Sequence, residues 1–181
     1  TITFNQDITP KAIFGSGNAN GHFTTDRRGN IELGIRAKIP FSGLTQSNGD
    51  GTYSYSLDDT DVSTSRRWNF DWTVNIDSDD SSELNLDDFT YELGLDADPS
   101  VGTDFLVFDP ITPTESTPFF DHSIGDNSTP QSGGEEASDA SSYTTLLGSK
   151  NVLQQSWRYA FFPIGPLATY NPDIPGTYTI Y

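Results

Sequence analysis

The chain contains no cysteine and no methionine among its 181 residues, and only nine basic side chains. Without a thiol there is no disulfide scaffold, zinc ribbon, iron–sulfur cluster, c-type haem or thiol nucleophile. Against the nine bases stand 26 acids, for a net charge of −17. Such a surface repels phosphate backbones and anionic lipid, so no nucleic-acid partner is expected. No run of about 18 apolar residues is present, so no membrane insertion is expected either. The chain opens at Thr1 without an initiator methionine, which reads as processing, and loss of a secretory signal is the common route. A secreted location, extracellular or at the cell surface, follows as the expectation. Catalytic motifs are also scarce. His22 and His122 are the only histidines, and neither belongs to a G-x-S-x-G element. The glycine-rich stretch Gly15–Gly21 lacks the G-x-G-x-x-G order and a following base to hold phosphate.

What the chain does have is aromatic residues, 13% of the total, and a hydrophobic period of two nearly everywhere. Ile31, Leu33, Ile35, Ala37 and Ile39 alternate with Glu32, Arg36 and Lys38, the pattern of a half-buried strand. Trp68, Phe70, Trp72, Val74 and Ile76 repeat it, as do Phe89, Tyr91, Leu93 and Leu95. Shorter candidates are 12–14, 21–25, 53–57, 104–108, 156–162 and 177–181, separated by Gly, Asp, Asn, Ser and Pro clusters that suit turns. One segment, Ser141–Gly148, has a capping serine, an apolar end and a terminal glycine, enough for a short helix. With no helices available for crossovers, the expectation is an all-β, antiparallel two-sheet sandwich, jelly-roll or immunoglobulin-like. Residues 1–181 read as a single domain that continues natively past Tyr181, because 177–181 opens a strand with no turn behind it. Residues 109–140, rich in Pro, Gly and Ser, read as one long loop.

Phe14–Gly21, Ile31–Lys38, Phe89–Asp96, Asp121–Thr129 and Pro175–Tyr181 together resemble a group of secreted bacterial proteins that often carry a PEP-CTERM-type sorting signal. The resemblance runs over most of the chain. It implies export, a bacterial source and a further strand or two after Tyr181, and it brings no activity with it. The sorting tail itself is not in this sequence, which leaves anchoring open.

The densest acidic window is Asp77–Asp88. Laid on a twelve-residue calcium loop, Asp77, Asp79, Ser81, Glu83, Asn85 and Asp88 fall at the ligand positions. Ser82 stands where the sharp turn wants glycine and the flanks read as strands, so a looser hairpin-loop calcium site replaces the helix–loop–helix type. Asp96 and Asp98 add carboxylates in a second loop, which could share an ion with the first if the loops cluster. The alternative is a set of solvated acidic turns that discourage strands from pairing between copies. His122 with Asp121 and Asp126 is a weak transition-metal set, and Asn127-Ser128-Thr129 is formally a glycosylation sequon. Tyr53, Tyr55, Trp68, Trp72, Trp157 and Tyr159 could stack sugar rings or could be core. Glu32 and Glu92 lie on predicted strands where either could face a groove, but no carboxylate pair stands out for glycoside hydrolysis. The best account is a calcium-stabilised extracellular sandwich with a structural or adhesive role, self-assembling through the strands near Ile2–Phe4 or Thr177–Tyr181. A carbohydrate-binding module is the first alternative and a polysaccharide-active enzyme the second.

Overall fold

The alternating segments Ile31–Lys38 and Asn69–Asn75 become the central antiparallel pair of a six-stranded sheet. The computed structural model describes residues 1–9, 19–40, 47–58, 68–112, 121–128 and 133–181. In chain order the strands are β1 (Ile2–Gln6), β2 (Phe23–Arg28), β3 (Ile31–Lys38), β4 (Asn69–Asn75), β5 (Leu93–Asp96), β6 (Phe105–Phe108), β7 (Ser123–Gly125) and β8 (Val152–Trp157). The large sheet runs β1-β2-β3-β4-β8-β7, and β5 and β6 form a separate ladder. Residues 179–181 extend that ladder: Gly94 and Tyr181 exchange both backbone hydrogen bonds, at 2.9 and 3.2 Å, and the Asp96 amide donates to the Thr179 carbonyl at 3.0 Å. The molecule is the expected all-β two-sheet sandwich. The β2–β3 hairpin turns on Gly29 and Asn30, with Gly29 at φ 62°, the first-position glycine that a two-residue hairpin turn requires.

The main core lies on the face of the large sheet that carries Phe70, Trp72, Val74 and Ile76. It packs against Leu93 and Leu95 of the small sheet and against one short helix, α1 (Ala140–Leu147). The helix forms where expected. Asp139 accepts the Ser142 amide at 2.7 Å to cap it, and Tyr143, Leu146 and Leu147 fall on its buried side.

The opposite face of the same sheet is also buried, and it is polar. Thr25, Glu32, Arg36, Asp71, Thr73 and Asn75 are all within 2% of complete burial. Over its middle sits a small second core of Ile8, Phe23 and Val152. Gly34 makes room for it: a Cβ there would stand 2.7 Å from Thr73 Cγ2, 3.1 Å from Ile8 Cγ2 and 3.3 Å from a Phe23 ring carbon. Gly34→Ala is therefore expected to cost about 1–3 kcal/mol through overpacking. The check is a lower urea midpoint with an unchanged slope; a midpoint within error of the parent would show that Ile8 yields freely.

Several details differ from the expectation. Along β3 the alternation is correct but its sides are not: Leu33 is 45% exposed, whereas Glu32 is 0% and Arg36 2% exposed. Segment 53–57 is not a strand but a strap over β2 and β3, with Tyr53 Oη donating to the His22 carbonyl and Tyr55 Oη to the Ala37 carbonyl, both at 2.7 Å. The strand expected at 156–162 starts earlier, at Val152, and gives way to a 3-10 turn at Tyr159–Phe161. The long 109–140 segment contains β7, whose outer side is bridged by Glu135 to Ile124. The strand expected at 12–14 lies outside the described residues.

Candidate functional site

The largest concentration of buried charge is on the polar face of β3 and β4. Register sets Arg36 directly opposite Asp71 and Glu32 opposite Asn75. Arg36 Nε donates to Asp71 Oδ2 at 2.8 Å, its Nη1 donates to the Gly21 carbonyl at 2.6 Å, and its guanidinium lies 4.3 Å from the centre of the Phe23 ring. Lys38 Nζ stands 3.1 Å from the other oxygen of Asp71. Burial holds the Lys38 ammonium below its usual pKa, although Asp71 pulls the other way. Glu32 is ion-paired with Arg27, and its Oε1 accepts both the amide and the hydroxyl of Thr9, at 2.6 and 2.8 Å.

Two buried carboxylates on neighbouring strands invite the question of acid–base chemistry. Glu32 and Asp71 are four residues out of register, which separates their backbones by about 13 Å along the strands. Glycosidase carboxyl pairs stand about 5–9.5 Å apart. Glu32 is instead matched to Arg27 and the amide and hydroxyl of Thr9, and Asp71 to Arg36 and Lys38. The arrangement is one of structural charges, sealed from substrate. The Thr73 hydroxyl and both ends of the Gln154 amide, opposite one another in the ladder, are buried without a hydrogen-bond partner.

The acidic loops are built from short-range bonds. Asp77 is 1% exposed, and its Oδ1 accepts the amides of Ser81 and Ser82 at 2.9 and 3.0 Å. Asp79 accepts the Ser81 hydroxyl at 2.5 Å, and Asp88 accepts the Asn85 amide at 2.8 Å to cap the 3-10 turn Leu86–Asp88. Glu83 is exposed. Asp96, 1% exposed, accepts the amides of Asp98 and Asp104 at 3.0 and 2.8 Å. Asp98 accepts the Ser100 amide at 2.8 Å, a bond that draws its pKa down. The fold thus brings Asp77 together with Asp79, and Asp96 together with Asp98, each pair closing its own turn. Among the described residues, no group of three or more His, Asp and Glu side chains is placed to hold a metal ion.

The other candidates also resolve into structure. His122 is fully buried, with Nε2 2.8 Å from the Pro110 carbonyl and Nδ1 3.3 Å from the Gln155 amide nitrogen, so Nε2 donates and Nδ1 accepts. Its ring stands 5.3 Å from Trp72 and 5.5 Å from Trp157, and burial pushes its pKa down to about 4. Asn127 is only 3% exposed and donates to the Asn75 side chain and the Asp77 carbonyl, so the sequon is closed in the folded chain. Of the aromatic set, Trp72, Trp157 and Tyr159 are core. Trp68 is half-buried, 6.1 Å from Tyr178, which lies 5.7 Å from Tyr170. Glu92 is exposed and accepts the Tyr181 hydroxyl at 3.1 Å.

Comparison of the chain with family models, with curated proteins and with solved structures gives no match. Among the described residues, no helix is long and apolar enough to cross a membrane.

The remaining surface of interest is β1. It forms one edge of the large sheet and is exposed at all five residues, including Ile2 at 58% and Phe4 at 39%. A bulge between Thr3 and Gln6, with Asn5 at φ 55°, shifts its register against β2, and pairing resumes at Gln6 opposite Phe23. The opposite edge, β7, is three residues long and is bridged by Glu135. The sequence signal for β1 is the alternation of Ile2 and Phe4 with threonine and asparagine, without a charge from Thr1 to Gln6.

Proposed function

We propose that the chain is an exported extracellular β-sandwich with a structural or adhesive role, a subunit of a matrix, surface layer or filament. The observation that supports this reading is β1, an uncharged and exposed edge strand on a chain of net charge −17. An open edge offers main-chain donors and acceptors to a neighbouring copy. Copies this acidic repel one another, so close packing needs screening by salt or by calcium shared between the aspartate turns of adjacent molecules. In this reading calcium serves that contact between copies.

The test is light scattering against protein concentration, with calcium and then with chelator. Particle mass is expected to rise with concentration and calcium and to fall back on chelation. A particle that stays monomeric under every condition would remove the reading. The half-buried group of Trp68, Tyr170 and Tyr178 favours carbohydrate binding as the second reading. It would show as a change in tryptophan fluorescence on adding glycans, without any change in particle mass.

A further inference from the structure

We infer that residues 1–9 form an exchangeable strand, which in the assembled state docks on the sheet of a second copy with Ile8 as its anchor. The inference rests on the structural reading above and names the segment that carries the contact.

The segment has two parts of opposite character. β1 buries none of its five residues and, among the described residues, has a strand neighbour on one side only, β2. Ile8, by contrast, is completely buried over Gly34, in a cluster with Phe23 and Val152. Next to it, Thr9 gives its amide and its hydroxyl to the buried Glu32 carboxylate, at 2.6 and 2.8 Å. The Asn20 side chain also holds both backbone groups of Ile8, at 3.0 and 3.2 Å, so apart from the β1–β2 ladder the segment is anchored at Ile8 and Thr9. The receiving socket of any other copy is identical, so exchange gives up no contact. That is the condition under which swapped elements become a low-cost route to assembly.

Two further observations point to a second copy as the occupant. No side chain from Thr1 to Gln6 is charged on a chain of −17, and the Thr1 amine is paired with Asp26, so this is a stretch a second acidic copy repels little. The other edge of the large sheet is bridged by Glu135, which leaves β1 as the edge strand that a copy's β1 can replace. Nine residues, 10–18, join Thr9 to Ala19.

The absence of cysteine supplies the experiment. Thr3 and Thr25 are register partners whose hydroxyl oxygens lie 2.8 Å apart. In the Thr3→Cys/Thr25→Cys variant, oxidation at high dilution ties β1 to its own sheet. The tied form is expected to assemble at least tenfold less than the reduced form by light scattering, and reductant should restore assembly. Oxidation after assembly is expected to give a ladder of covalent multimers on a non-reducing gel. Full assembly by the tied form, or oxidised assemblies containing only internally linked single chains, would overturn strand exchange and leave the assembly reading intact. A parent chain that never assembles would remove both. With the unmodified protein, an excess of a peptide of sequence 1–9 should suppress assembly, and the same peptide carrying Ile8→Asp should not. Equal effects of the two peptides would count against the anchor.

Discussion

Asp71→Asn is expected to lower the unfolding free energy by about 3–5 kcal/mol, and to cost more than Arg36→Met does. Asp71 is 0% exposed and is the shared counter-ion of Arg36 and Lys38, whose side chains are 2% and 13% exposed. Removing its charge leaves two cations facing each other in a dry layer. Removing Arg36 instead leaves Asp71 still matched by Lys38, at the loss of the bond to the Gly21 carbonyl and the packing on Phe23. For a domain of this length, Asp71→Asn should bring the thermal midpoint down by about 10 °C. The double variant Asp71→Leu/Arg36→Met should recover much of the loss, because replacing a whole buried pair is far cheaper than orphaning one member. Urea unfolding of the two singles and the double gives the coupling. If both singles cost less than about 1 kcal/mol, the network is solvated and the sealed polar face is wrong.

Acid should weaken the fold well above the range in which carboxylates titrate. His122 is neutral in the folded chain because its pKa is pushed from 6.5 down to about 4, whereas the unfolded chain protonates near 6.5. A base with a lowered folded pKa favours the unfolded chain once that chain begins to take up the proton. The stability tied to neutral His122 is therefore complete above pH 6.5, declines as pH falls, and is gone near pH 4. The loss amounts to about 3 kcal/mol across that window. Asp126 does not interfere: Ser128 and Lys150 hold its pKa down to about 2, so its contribution fades only below the ordinary carboxylate value of 3.8. The measurement is the urea midpoint at pH 7.5 and at pH 4.5 for the parent and for His122→Gln. The variant is less stable at neutral pH, but its loss on acidification should be smaller by most of that amount. Equal losses in both proteins would show that His122 is hydrated or already charged.

The parts of the fold that could be read from the sequence are those where one residue's neighbours along the chain decide its fate. Phe70, Trp72 and Val74 alternate because β4 is a strand, and Gly148 marks the end of α1, although the residue that caps its start is Asp139 rather than the expected serine. Alternation tells two faces apart but not which face is covered. For β3 that depended on Ile8 and Phe23 arriving from elsewhere to close the polar side, which left Leu33 in solvent. The site was harder still. Asp77, Asp79, Glu83, Asn85 and Asp88 have the spacing of calcium ligands, but spacing does not say where oxygen atoms point. In the fold Asp77, Asp79 and Asp88 turn toward amides and a hydroxyl a few residues away. The buried charges Glu32, Arg36 and Asp71 read as solvent-facing because each alternates with apolar neighbours. Only the partner strand, 35 residues away for Arg36 and Asp71, reveals that they neutralise each other.

The matched charges of β3 and β4 also bear on how the sheet finds its alignment. A slip of two residues between these strands would keep every side chain on its own face, so the hydrophobic pattern alone would hardly resist it. In one direction it would set Arg36 across from Thr73 and leave Asp71 to Lys38 alone, and in the other it would set Asp71 across from Gly34 and Arg36 across from Asn69. Either misalignment strands a charge in a layer that water does not reach, so the ion pair works as a keyed joint that closes in one setting.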